Sequence, residues 1–224
     1  TPDLTPILNS LLLMLGISYW KTYCPKEIRI DSRVLALSSA QAEFWNTVYT
    51  KGLGEFFYKN KIDFRGLVRF PSSDTAVAVP VPYEVGDGLL VPLGGGKDSL
   101  VTAELLKKQK KQFVFLAVNA PPFYGTIADR AGVPLLSVRR EIDPLLLELN
   151  KTPGVYNGHI PITGVRAFIG VLVAALAGYS SIVISNEKSA NYGNVEYLGE
   201  EMNHQWSKSE EFEGLFQSYV KSYV

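Results

Sequence analysis

The sequence predicts an α/β protein with a doubly wound parallel sheet and an N-terminal α+β appendage. Short apolar runs typical of buried parallel strands alternate with helical patterns over the second part of the chain. Three consecutive glycines at 94–96 stand between the first of these strands and the helix that follows it. Because the composition changes in the proline-containing stretch 71–82, we place a boundary there, between an N-terminal α+β subdomain (1–82) and a sheet domain (83–224).

The elements follow from periodicity and from breaker residues. The buried parallel strands are predicted at 89–93, 112–119, 135–138 and 181–185. A helix follows Ser99, a short helix ends at Gly132, and a long apolar helix runs from Gly164 to Ala177. In the N-terminal part, residues 44–49 and 55–58 are expected on helices as core residues, and 27–30 and 66–70 as short strands.

The glycine loop is the most informative motif. Backbone N–H groups of a glycine loop close around an anion, and the following helix adds its positive N-terminal end, so a phosphate site is expected. Asp98 separates Lys97 from Ser99, which excludes a Walker A loop. A carboxylate there repels phosphate unless a cation lies between them, so Asp98 predicts Mg²⁺ and a di- or triphosphate. The predicted phosphate-binding residues are Gly94, Gly95, Gly96, Lys97, Asp98 and Ser99, with Asp98 on the metal. The alternative is a strand-to-helix turn that binds nothing.

Other polar clusters follow the predicted strands and should meet at one edge of the sheet, where α/β proteins bind ligands. They are Asn119, Arg139–Arg140, 157–163 and 186–194. His159 could act as an acid or base, bind phosphate, or only form ordinary hydrogen bonds. The segment after the last strand is either a site or a capped turn, and its polarity favours a site.

Composition narrows the functional classes. Of 224 residues, 46% are hydrophobic and 20% charged, as is ordinary for a globular protein. Lys plus Arg and Asp plus Glu number 22 each, so no net positive field favours a nucleic-acid partner. With Cys24 as the single cysteine, an intrachain disulfide and a multi-cysteine zinc site are excluded, and a cytoplasmic location is expected. The apolar runs 11–15 and 167–177 are shorter than the ~20 residues of a membrane span, so we expect buried helices and no membrane partner.

Several motifs together resemble a known family. Gly-Gly-Gly-Lys-Asp-Ser at 94–99 resembles the phosphate loop of the PP-loop ATP pyrophosphatases, with Gly94 in place of that loop's first serine. With the segments 157–163, 185–191 and 195–209, it resembles the ATP-dependent UDP-N-acetylmuramoyl-L-alanyl-L-glutamate epimerases. Residues 44–56 and 63–66 look similar too, so the resemblance covers most of the chain from about residue 28 onward.

The resemblance implies a PP-loop fold, ATP and Mg²⁺ as cofactors, and a UDP-muramoyl-dipeptide substrate for peptidoglycan precursor synthesis. The substrate's glutamate carboxyl would be adenylated, its α-carbon inverted, and AMP and pyrophosphate released. Proton transfer would fall to His159, Glu187, Lys188 or His204, and the glycine loop would hold pyrophosphate. Family members continue into a C-terminal part that contains cysteines, so we expect this chain to be a fragment.

Two other hypotheses for the function stay open. The chain could be a PP-loop ATP pyrophosphatase with another acceptor, such as an amide ligase or a tRNA-modifying enzyme. It could also be a module that binds ATP without turnover. A strongly basic face or a catalytic cysteine pair would favour the tRNA-modifying enzyme, and the sequence shows neither.

Overall fold

The computed structural model describes residues 3–73, 76 and 80–224. Within these residues the helices are α1 (Thr5–Trp20), α2 (Ser39–Gly52), α3 (Gly54–Asn60), α4 (Lys97–Lys108), α5 (Phe123–Ala131), α6 (Pro144–Leu149), α7 (Ile162–Ala177) and α8 (Glu210–Tyr223). The strands are β1 (Leu89–Pro92), β2 (Phe113–Val118), β3 (Leu135–Val138), β4 (Ser181–Ile182), β5 (Val195–Tyr197) and β6 (Glu200–Met202). Short 3₁₀ turns cover Lys188–Asn191 and Trp206–Lys208.

The first four strands form one parallel sheet in the order β3-β2-β1-β4. The chain moves outward from β1 through β2 to β3, and then returns across the sheet to place β4 on the other side of β1. All four predicted strands are present and parallel, but β4 covers only Ser181–Ile182, so the fourth strand is shorter than the predicted 181–185. The connection that follows β1 leads to β2 on one side, whereas β4 lies on the other side of β1. This reversal in strand order opens a crevice at the carboxyl ends of β1 and β4.

Helices cover both faces of the sheet because alternate strand residues point to opposite sides. On one face, Leu90 and Leu116 are buried in a cluster with Phe168 of α7. On the other face, Val91 and Phe115 are buried in a second cluster to which α4 and α5 contribute. Each such side chain stabilises the fold by about 1.5–3 kcal/mol when fully buried.

The N-terminal helices share the larger of these two clusters with α7 and α8. Trp45 of α2 is fully buried and stacks on Phe168, with 5.4 Å between ring centroids. Its indole N–H donates to the Tyr219 hydroxyl of α8 at 3.2 Å. The predicted helical placement of residues 44–49 and 55–58 is confirmed. The boundary at residue 82 stays a prediction, and residues 74, 75 and 77–79 of the predicted boundary region lie outside the described residues.

The short strands predicted at 27–30 and 66–70 are wrong, because no strand forms in the described residues before β1. The described N-terminal part is therefore built of helices and loops rather than as α+β. Arg29 binds the Glu27 carboxylate at 2.8 Å with both side chains in solvent. The Phe70 N–H donates to the Asn46 side chain at 2.7 Å. This backbone donor is satisfied by a side chain, which removes the need for a strand partner at that point.

Both apolar runs form helices, as predicted. Residues 11–15 lie in α1 and 167–177 in α7, and these two helices pack against each other. Among the described residues, no helix has both the length and the apolar character needed to cross a membrane.

Candidate functional site

The glycine loop connects β1 to α4 at the carboxyl edge of the sheet, where the sequence places it. Gly95 has a φ of +73°, and a Cβ there would lie 2.9 Å from the Tyr124 ring. A Cβ on Gly94 or on Gly96 would meet nothing within 4 Å. Gly95 is thus required by the conformation of the loop, whereas Gly94 and Gly96 border open space that a ligand can occupy.

A cavity of about 250 Å³ lies against this loop, in the crevice between the carboxyl ends of β1 and β4. Leu93, Val118 and Ile184 give it an apolar wall, while Asp98 and Ser99 lie on its polar side. The volume is near the lower limit of ordinary ligand pockets, which start at about 300 Å³. The apolar wall beside a glycine loop suits a ligand that carries both an apolar part and an anionic part.

The cavity is also lined by two cations, Arg166 and Lys208, which the sequence analysis did not assign to the site. Arg166 is the only charged residue of α7 and lies near the start of that helix. A lone arginine in an apolar helix is a signal that could have been read from the sequence. Lys208 comes from a 3₁₀ turn more than a hundred residues after the loop. It lies in the segment 195–209 that carries the family resemblance, but no local pattern assigns it to this cavity. Both cations favour an anion in the cavity.

The glycine loop is joined to the loop after β4 by an ion pair. Lys97 Nζ lies 2.9 Å from Glu187 Oε1, and both side chains are exposed. The hydrogen bond from Lys97 lowers the pKa of Glu187, and the same bond raises the pKa of Lys97. The predicted meeting of these two loops is confirmed. Because the pair is exposed to water, Lys97 can exchange its carboxylate partner for a phosphate at low cost.

The metal prediction rests on Asp98, which lines the cavity and offers one carboxylate. In the part of the chain that the structure describes, no group of three or more His, Cys, Asp or Glu side chains is arranged to hold a metal ion. Mg²⁺ commonly uses one or two protein carboxylates together with water and substrate phosphates. The residues present fit a magnesium ion that arrives with a nucleotide, with Asp98 as its protein ligand.

His159 contacts Glu55 of α3, and the charge of His204 acts on the same carboxylate. His159 Nδ1 lies 3.5 Å from Glu55 Oε2, and both side chains are half-buried. The His204 ring contacts Asn194 Oδ1 through Nδ1 at 3.0 Å. Burial lowers the pKa of His159, the Glu55 carboxylate opposes that shift, and His204 adds to it. The hydrogen bond from Lys59 is the main cause of the lowered pKa of Glu55.

The loop that carries His159 is fixed by α1 and α3. The buried Lys21 donates to the Asn157 side chain at 3.0 Å, and its ammonium lies 5.8 Å from the centroid of the Phe56 ring. Asn60 donates to the Asn157 carbonyl at 3.2 Å. Desolvation lowers the pKa of Lys21. A buried cation that binds an amide oxygen tolerates little displacement, so the position of this loop is well defined.

Lys188, the fourth predicted proton-transfer residue, lines a different cavity of about 690 Å³. Its wall includes Lys51 of α2, Trp206 and Glu201. The N-terminal helices thus contribute to a second cleft beside the sheet. The roles predicted for Lys188 and for the other site residues stay predictions.

Comparison with known proteins identifies the family. The family model for the MurL N-terminal domain matches residues 1–224. Three relatives each bear the name UDP-N-acetyl-alpha-D-muramoyl-L-alanyl-L-glutamate epimerase. That of Xanthomonas oryzae pv. oryzae is 40% identical over 217 residues, which are 97% of this chain and 48% of the relative. That of Salinispora tropica is 35% identical over 219 residues, covering 97% and 47%, and that of a Micromonospora species is 36% identical over 221 residues, covering 97% and 48%.

The chain therefore spans about half the length of the curated relatives it matches. The resemblance to muramoyl-dipeptide epimerases read from the sequence motifs is confirmed by this similarity, and the chain belongs to the MurL N-terminal domain family.

Proposed function

We propose that this chain supplies the ATP site and proton-transfer residues of an epimerase that inverts the terminal L-glutamate of UDP-N-acetylmuramoyl-L-alanyl-L-glutamate. Its sheet is proposed to be the doubly wound sheet of the PP-loop ATP pyrophosphatases. The observation that carries the proposal is the cavity at the carboxyl ends of β1 and β4, which combines a glycine loop with Arg166 and Lys208. The name that the three relatives share supports the substrate class, and with it we propose a cytoplasmic reaction of peptidoglycan precursor synthesis.

The chemistry explains why ATP would be consumed. The α-hydrogen of a free carboxylate is hard to remove, because the product concentrates negative charge next to an anion. Attack of the α-carboxylate of the glutamate on the α-phosphorus of ATP gives an acyl adenylate and releases pyrophosphate. In this anhydride the acyl group no longer carries the negative charge of a carboxylate, so the α-proton leaves more easily. After a proton returns to the other face, water cleaves the anhydride and gives AMP and the muramoyl dipeptide with a D-glutamate residue.

Residues of the glycine-loop cavity are assigned to the nucleotide. The leaving pyrophosphate would be bound by Gly94, Gly95, Gly96, Lys97 and Ser99. Asp98 would hold a Mg²⁺ ion, which would supply positive charge to neutralise the phosphates. Arg166 and Lys208 stabilise the additional negative charge that develops on the phosphates.

Proton transfer is assigned to the group of His159, Glu187, Lys188 and His204. The contact of His159 with Glu55, together with the electrostatic effect of His204 on both groups, supports the imidazoles as the acid and base. A pair of cysteine bases is not available within this chain, because Cys24 is its single cysteine. Burial also raises the pKa of that thiol to about 11 and keeps it protonated.

The test is product analysis with ATP and Mg²⁺, with and without the muramoyl dipeptide, followed by chiral analysis of the recovered glutamate. The relative from Xanthomonas oryzae serves as the positive control. AMP, pyrophosphate and D-glutamate that appear only with the dipeptide support the proposal. AMP without inversion would assign this chain to activation alone or to another acceptor, such as that of an amide ligase. ATP binding without AMP would indicate a non-catalytic nucleotide module or a fragment that needs the rest of the protein for turnover.

A further inference from the structure

Glu55 is held so that one carboxylate oxygen is anchored and the other faces an imidazole. Lys59, one turn further along α3, forms an ion pair with Oε1 of Glu55. Oε2 lies 3.5 Å from His159 Nδ1. Because the side chain of Glu55 is only 23% exposed, water competes weakly for this contact. The carboxylate is therefore oriented by its own helix and presented to His159.

The segment 52–55 also packs against both histidine-bearing segments. A Cβ on Gly52 would lie 2.9 Å from Pro161, two residues after His159. A Cβ on Gly54 would lie 3.1 Å from the sulfur of Met202, two residues before His204. These close approaches leave little room for the histidine segments to move relative to the start of α3. Glu55 thus lies directly beside the points where both histidine-bearing segments pack against residues 52–54.

We propose that Glu55 is a positioning residue that keeps the Nδ1 proton of His159 directed at its carboxylate and leaves Nε2 free to remove the α-proton. This inference rests on the proposed function and deepens it. In the step, the Cα–H bond of the activated glutamate breaks, its electron pair moves toward the acyl oxygen, and the proton bonds to Nε2 of His159. A carboxylate at the far nitrogen fixes the tautomer and raises the basicity of the ring, as in other histidine sites. The charged and titratable groups around His159 are Glu55 and Lys59 of α3 and His204 after β6.

The chain makes a direct measurement possible, because it contains only two histidines. The ¹⁵N and ¹³C signals of the imidazoles can be assigned with the single variant His204→Gln. At neutral pH we expect His159 to carry its proton on Nδ1 in the unmodified chain. In Glu55→Gln the tautomer preference should weaken, and the pKa of His159 should fall because the carboxylate that opposed the effect of burial is gone. Glu43→Gln, at an exposed position of α2, is the matched control and should change neither signal.

The kinetic readout separates positioning from folding. Glu55→Gln should lower kcat by about 10–100-fold with little change in KM, and should shift the rise of kcat with pH to lower pH. An unchanged tautomer and an unchanged titration of His159 would overturn the proposal, as would a changed tautomer with an unchanged kcat. The NMR readout does not depend on turnover, so a failure of the proposed function is distinguishable from the loss of the Glu55–His159 contact.

Discussion

Gly95→Ala is the sharpest test of the glycine loop as a binding element. The φ of +73° places this residue in the left-handed region, which costs a residue with a Cβ about 1–2 kcal/mol. The new Cβ would also lie 2.9 Å from the Tyr124 ring, and overpacking of this kind costs about 1–3 kcal/mol when the neighbour cannot move. Since the loop is exposed, part of this cost is relieved by a change in loop conformation. We expect a net loss of about 1.5–3 kcal/mol in ligand binding, which is a weakening of roughly 10–100-fold.

The assay is calorimetric titration with a non-hydrolysable ATP analogue and Mg²⁺, together with the thermal unfolding midpoint. Gly96→Ala is the matched control for strain, because φ is −94° and its Cβ meets nothing within 4 Å. Its midpoint should equal that of the unmodified chain, and any loss of affinity then reports that the methyl group occupies space needed by phosphate. Tyr124→Ala added to Gly95→Ala should recover the part of the loss due to the ring contact and not the part due to φ. The reasoning is refuted if Gly95→Ala binds the analogue within twofold of the unmodified chain.

Three further outcomes are expected. Arg166→Met should weaken binding of the ATP analogue about tenfold, and the salt dependence of the affinity should decrease because one charge-assisted contact is lost. Glu187→Gln should tighten binding of the ATP analogue a few-fold, because the substitution frees Lys97 from its ion pair. This is on the order of the effect of removing one exposed negative charge beside an anion. The pKa of Glu187 is lowered from 4.5, so its ion pair is present above that pH and is lost only as the pH falls through the folded-state pKa. The tightening should therefore be constant from pH 6 to 9. Tyr219→Phe should lower the free energy of unfolding, measured in urea, by about 1–3 kcal/mol, because the buried indole N–H of Trp45 loses its acceptor.

The sheet was predictable from sequence because its signals are local. Each of the four strands is a short apolar run with breaker residues at its ends, and Gly132 ends α5 in the left-handed conformation that glycine favours. The error at 27–30 and 66–70 has a tertiary cause. Alternating apolar residues describe a chain that can be half-buried, but a strand also needs a partner, and the partner is not encoded in the segment itself.

The candidate site was predictable where polar residues follow a strand or, as at His159, lie in a polar loop before a helix. The glycine loop and Glu187 meet because they follow β1 and β4, which are neighbours in the sheet. Glu55 and Lys208 come from outside the strand–helix alternation. Helix packing brings Glu55 to His159, and a 3₁₀ turn brings Lys208 to the glycine-loop cavity. No periodic pattern of the sequence relates residue 55 to residue 159, so their contact had to be seen in the structure.

One continuous segment links the two parts of the proposed reaction. The loop before α7 carries His159, and the start of α7 carries Thr163 and Arg166, both of which line the glycine-loop cavity. Four residues span at most about 14 Å, so the backbone at His159 cannot lie farther than that from the backbone at Thr163. Lys21 and Asn60 fix the loop at Asn157, and the helix fixes the other end. If the carboxyl to be activated lies at the phosphate end of this cavity, the imidazole is held at a set distance from the adjacent α-carbon. The same segment would then align activation with deprotonation, which is what a reaction through an acyl adenylate requires.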